Sequence, residues 1–95
     1  MYIHGMAARV LRGVAEKLRE KGVRARVEER EGGEVLIIEV AGETAEIRVE
    51  SLQGGTLRLS LRYPAKRGVT LLSCNADAPL RCAEQLIEAI SPGKQ

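Results

Sequence analysis

The sequence predicts an α+β fold: an antiparallel meander of four to five strands with an N-terminal and a C-terminal helix packed on one face. Three observations predict it. Apolar residues recur at three- and four-residue spacing near both ends of the chain, apolar and charged residues alternate through the middle, and glycines interrupt that middle at short intervals. The 95 residues carry no composition break that would separate two cores, so residues 1–95 read as one domain.

The first helix is expected over about residues 6–21, where Ala7, Val10, Leu11, Val14 and Leu18 form one stripe and Arg9, Arg12, Glu16, Arg19 and Glu20 face elsewhere. Gly22 supplies the left-handed residue that ends a helix. Gly13 in the middle costs roughly 1 kcal/mol relative to alanine and is read as a close approach of helix to sheet. The only histidine, His4, falls in a tail before this helix and reads as a solvated or packing residue.

Strands follow at about 23–30, 35–41, 44–50, 56–62 and 69–73. A two-residue turn at Gly32–Gly33 sets Val27 opposite Ile38 and Ala25 opposite Val40. A second at Gly42–Glu43 sets Ile38 opposite Ile47 and Leu36 opposite Val49. For the third hairpin, a two-residue Gly54–Gly55 loop would put Val49 against Ser60 and mix the faces. A three-residue bulged loop of Gln53, Gly54 and Gly55 is expected instead, pairing Val49 with Leu59, Ile47 with Leu61, Glu46 with Arg62 and Glu50 with Arg58. The closing helix, about 78–91, takes Asp77 as its cap and Leu80, Ala83, Leu86, Ile87 and Ile90 as its apolar stripe, and Ser91-Pro92-Gly93 ends it.

Hydrophobic residues make up 44% of the chain, drawn almost entirely from Val, Ile, Leu and Ala, so the core is aliphatic. No apolar run approaches the roughly eighteen residues that span a bilayer, and the first ten residues lack the apolar block of a secretory signal; a cytoplasmic address and no membrane partner are expected. A charge-rich, amide-poor composition suggests a thermophile. Cys74 and Cys82 have no second pair of thiols and no nearby histidine to complete a zinc tetrahedron. Buried free thiols are the first expectation for them, and an intracellular disulfide, as hyperthermophiles tolerate, is the alternative.

Nothing in the chain assembles a nucleophile, base and metal, and the glycine pairs neither precede a helix nor lead into a Lys-Ser/Thr pair, so they read as hairpin turns and not phosphate cradles. The expectation is a non-enzymatic protein without a cofactor. The outer sheet face carries Arg24, Arg26, Arg30, Arg48, Arg58 and Arg62 against Glu28, Glu39, Glu46 and Glu50. Residues 57–81 hold five basic side chains against one acid, whereas 32–56 hold one against five. Arg26, Arg48, Arg58, Arg62, Lys66 and Arg67 are therefore the candidate nucleic-acid-binding residues. The plainer alternative is a salt-bridged solvent face with no aromatic for bases to stack on. Val35 and Ile37 point outward on a central strand and are the candidate contacts of a homo-oligomer.

The opening helix, the glycine-turned meander with arginines on its exposed face and the segment Leu61-Arg62-Tyr63-Pro64-Ala65-Lys66-Arg67-Gly68 together resemble the single-stranded nucleic-acid-binding proteins of hyperthermophilic archaea related to ThermoDBP. The resemblance implies a sheet-and-cleft surface that holds single-stranded DNA or RNA by apolar and basic contacts. The expected function is thus a nucleic-acid-binding module. The alternative is an oligomerising adaptor whose exposed sheet meets another protein, and a small hydrolase or transferase would need a partner to supply its catalytic groups.

Overall fold

The N-terminal apolar stripe becomes helix α1, Ile3–Glu20, in the computed structural model, which describes residues 3–40, 42–63 and 68–90, with side chains from residue 7 onward in that helix. Residue 4 lies within α1 and not in a tail before it. Leu11, Val14, Ala15 and Leu18 are buried, each leucine contributing about 1.5–3 kcal/mol by leaving water. The helix ends as expected at Gly22, whose φ is 84°. The amide of Val23 donates to the Leu18 carbonyl at 3.0 Å and that of Gly22 to the Arg19 carbonyl at 2.9 Å, the paired bonds of a Schellman motif.

Five strands follow as an antiparallel sheet in sequence order: β1 (Arg24–Arg30), β2 (Gly33–Val40), β3 (Glu43–Gln53), β4 (Thr56–Arg62) and β5 (Thr70–Asn75). Helix α2 (Pro79–Ile90) closes the described chain. Both helices lie on the inner face, α1 against β1 to β3, α2 against β5, and each against the other. The core between them is built from α1, Cys82, Ala83, Leu86 and Ile90 of α2, and Leu36, Ile38, Ala45, Ile47, Leu57, Leu59 and Leu61 of the sheet.

Each expected face is right, but the first two hairpins slide by two residues. Ala25 pairs with Ile38 and Val27 with Leu36, and then Ile38 with Ala45 and Leu36 with Ile47. A shift of two keeps every side chain on its face, so the apolar pattern cannot choose between the registers and the turn decides. The closing pairs are Arg30–Gly33 and Val40–Glu43, which put Gly32 and Gly42, at φ 94° and 80°, second in each turn and not first.

The third hairpin combines the two alternatives set against each other above. Its closing pair is Gln53–Thr56, around a two-residue turn with Gly54 and Gly55 both at positive φ, as a type I′ turn requires. The extra residue sits in the strand: the register shifts between Val49 and Ser51, so Glu50 is a bulge. The expected pairs Val49–Leu59, Ile47–Leu61 and Glu46–Arg62 hold, whereas Arg58 faces Ser51 in place of Glu50. The bulge resets the alternation so that Leu52, opposite Leu57, joins the inner face.

At the C-terminal end Cys74 and Cys82 form a disulfide, with Cα atoms 5.5 Å apart, tying β5 to the first turn of α2. The expectation of free thiols is corrected. Bonding Cys82 inward fixes the rotation of α2, and Leu80, two residues earlier and so on the far side of the helix, is 45% exposed, outside the stripe assigned to it. Asp77 is not the cap either. The Cys82 amide donates to the Ala78 carbonyl at 3.1 Å, making Ala78 the cap residue and Pro79 the first helical one, while the Asp77 amide donates to Asn75 Oδ1 at 2.8 Å. Gly13 does mark a close approach, but to α2: a Cβ there would lie 3.8 Å from Pro79 Cβ. No helix among the described residues is long and apolar enough to cross a membrane.

Candidate nucleic-acid interface

Alternation along each strand sends to the outer face the residues between the core positions, and their charges divide into two zones. Over β1 to β3 they neutralise one another. Arg26 Nε donates to Glu28 at 2.6 Å, Arg30 donates to Glu28 at 2.8 Å and to Glu46 at 3.3 Å, and Arg24 pairs with Glu39 at 3.6 Å. The guanidinium of Arg30, chiefly, and then that of Arg26 hold the Glu28 carboxyl below the ordinary carboxylate range. Arg30 is on β1 and Glu46 on β3, so their contact crosses β2.

Val35 and Ile37 are the outward residues of β2 beneath that crossing, and they are 0% and 3% exposed. This corrects the expectation that they form an open apolar patch. Arg26 and Glu46 flank Ile37, Glu28 stands beside Val35, and the aliphatic stems of these ion-paired side chains roof both residues.

Across β3 and β4 the balance changes. Arg48, Arg58 and Arg62 form no ion pair with any described residue, and each is left free for an identifiable reason. Glu46 stands opposite Arg62 but is engaged by Arg30 from the other side. The bulge removes Glu50 from the row of Arg58 and puts Ser51 there. Arg48 lies opposite Ser60. On β5 the outward residues are Leu71 and Ser73, opposite Ser60 and Arg58, and Leu71 is 63% exposed.

Relief comes from the same irregularities. The β2–β3 ladder stops at Leu36–Ile47, and beyond it a cleft of about 280 Å³ opens between Gly32–Glu34 and Arg48–Gln53, with Ala7 of the inner-face helix α1 also in its wall. A second hollow of about 300 Å³ is lined by Glu50, Ser51, Arg58, Leu59 and Leu71, so the two adjoin at the bulge. Arg48 and Arg58 thus border neighbouring recesses, with Leu71 as the apolar wall of one.

Of the expected binding residues, the structure brings Arg48, Arg58 and Arg62 together and commits Arg26 to Glu28. Lys66 and Arg67 lie outside the described residues. Leu71 was missed because the sequence reading ended its fifth strand at Ser73 and set no outer-face partners for it. An alternating Thr-Leu-Leu-Ser-Cys-Asn with its inner phase fixed by Leu72 and Cys74 would have exposed it. Among the described residues no three His, Cys, Asp or Glu side chains converge as a metal site would need. No protein-family model, curated protein or solved structure matches the chain, so the resemblance drawn from the opening helix, the arginine-bearing meander and residues 61–68 rests on that sequence pattern alone.

Proposed function

We propose that the chain is a non-enzymatic nucleic-acid-binding module that holds single-stranded DNA or RNA on the β3–β5 half of its outer face. The observation that carries this reading is the separation of charge on one surface: the arginines of β1 are spent on Glu28, Glu39 and Glu46, whereas Arg48 of β3 and Arg58 and Arg62 of β4 pair with no glutamate among the described residues. Unpaired arginines grouped on an open sheet supply the phosphate contacts from which most nucleic-acid affinity comes. Guanidinium planes also stack on unpaired bases, which gives this face a substitute for aromatic side chains. Ser51 and Ser73 offer hydroxyls between the arginines, and Leu71 an apolar contact for a base.

In this reading the protein works in the cytoplasm, where its disulfide belongs to the thermophile exception suggested by the composition. The competing reading, a protein-binding adaptor, is favoured by the exposure of Val69 and Leu71, at 58% and 63%. Fluorescence anisotropy with short labelled single strands separates the two. Wild-type protein should bind, and the triple variant Arg48→Gln, Arg58→Gln, Arg62→Gln should lose binding while keeping its circular dichroism spectrum.

A further inference from the structure

The sheet ends in two edges of opposite character. β1 carries five charged side chains in seven residues, Arg24, Arg26, Glu28, Glu29 and Arg30, the usual guard of a strand that must not pair with another chain. β5 carries none in its six residues. It also lies beside Val69 and Leu71, the most exposed large apolar side chains among the described residues.

The hydrogen-bond phase of β5 follows from one contact. The Ala76 amide donates to the Gly55 carbonyl at 2.8 Å. Antiparallel bonding alternates residue by residue, so Cys74, Leu72 and Thr70 exchange bonds with Leu57, Leu59 and Leu61 of β4. Leu71 and Ser73 then turn their N–H and C=O groups to the open edge, whereas the Asn75 carbonyl there is already taken by the Ala78 amide at 2.9 Å.

We propose that β5 is a self-pairing edge: two copies of this chain join β5 to β5, antiparallel, about a twofold axis normal to the sheet. A second copy fits better than other occupants. An identical neutral strand matches β5 in length and meets it without like-charge repulsion. The β1 edge of another copy would set five charges against an apolar strand, and phosphates find no cation on β5 itself. Pairing β5 with β5 also uses the same surface twice and closes, where β5 to β1 would grow into a filament. The twofold keeps both outer faces on one side, so the free arginines of the two copies border a single continuous surface. The inference rests on the edge alone and holds whether or not that surface binds nucleic acid.

Sedimentation velocity on the full chain, from micromolar to millimolar concentration, tests it. Ser73→Pro removes an N–H that faces the edge and none that bonds β4. Leu71→Lys places a charge at the joint without touching the backbone, and so remains informative if the proline variant fails to fold. Glu29→Ser on β1 is the control. The wild type and the control should dimerise alike, and each β5 variant should weaken the dimer by at least about tenfold, equivalent to ~1.4 kcal/mol. A wild type that stays monomeric at millimolar concentration leaves the edge to another protein and overturns the proposal, as does a dimer that both β5 variants leave unchanged.

Discussion

Arg30 and Glu46, on strands separated by β2, meet at 3.3 Å over the outward side chains of Val35 and Ile37. The contact closes a roof over two apolar residues and occupies the glutamate that stands opposite Arg62. One ion pair therefore shapes both the covered and the open half of the outer face. Glu46→Gln should loosen the roof, lower Tm slightly and raise exposure of Val35 and Ile37, seen as faster amide exchange in β2. Unchanged exchange there would mean that the two residues are covered by something else.

Glu28, held below the ordinary carboxylate range first by Arg30 and then by Arg26, sets an acid limit for the same roof. A carboxylate whose pKa is lower in the folded state stabilises above its unfolded value, about 4.3. That contribution is lost as pH falls through the folded value. The Tm of the wild type should exceed that of Glu28→Gln near neutrality, and the two curves should converge in the acid range below that value. Parallel curves would contradict it.

The disulfide closes a loop with a sequence separation of 8 residues, for which chain entropy in the unfolded state gives about 2.5 kcal/mol. Replacing both cysteines by serine, or adding a reductant, should lower stability by that order in urea melts. Insensitivity to reductant would show that the bond does not form in solution.

Gly13 within α1 and Gly22 just past its end should respond in opposite directions. At Gly13 an added Cβ meets only an ordinary contact at 3.8 Å from Pro79, so Gly13→Ala should stabilise by about 0.5–1 kcal/mol through helix propensity. At Gly22 the φ of 84° penalises any side chain, and Gly22→Ala should destabilise by roughly 1 kcal/mol or more. Thermal melts of the two variants check both signs.

The bulge makes an unusual forecast about deletions. Removing Glu50 would leave Val49 inward, Ser51 outward and Leu52 inward with their present partners, so that variant should fold with little loss. Removing Arg48 would turn Val49 outward and break the row, so that variant should not fold. Cooperative melting of both, or of neither, would show that the phase of β3 is set elsewhere.

The sequence made the faces of the sheet legible because alternation has a period of two, and for the same reason it left the first two hairpins free to slide by two residues. Gly32 and Gly42 decide those registers through turn geometry, which depends on φ and not on hydrophobicity. The third hairpin was half read: the need for an extra residue was visible in Val49 and Leu59, but Gly54 and Gly55 prefer the tight turn and push the irregularity into Glu50. For the site, Arg58 and Arg62 could be placed on the outer face, yet their freedom from glutamates could not be read. It depends on the bulge and on a contact across β2, and neither is local in sequence. Val35 and Ile37 were misread as open because long charged side chains on neighbouring strands can cover a β-branched residue.

The claim that most needs testing is that Arg48, Arg58 and Arg62 form the phosphate-binding surface. The direct measurement is the affinity for a labelled single-stranded oligonucleotide as a function of salt. Three phosphate contacts at roughly −0.7 each predict a log-log slope of about −2 from these arginines alone. Each single glutamine substitution should flatten the slope by about 0.7, and the same substitution at Arg26, already paired with Glu28, should leave it unchanged. Affinity indifferent to salt, or a slope that falls with Arg26→Gln and not with Arg58→Gln, would contradict the account.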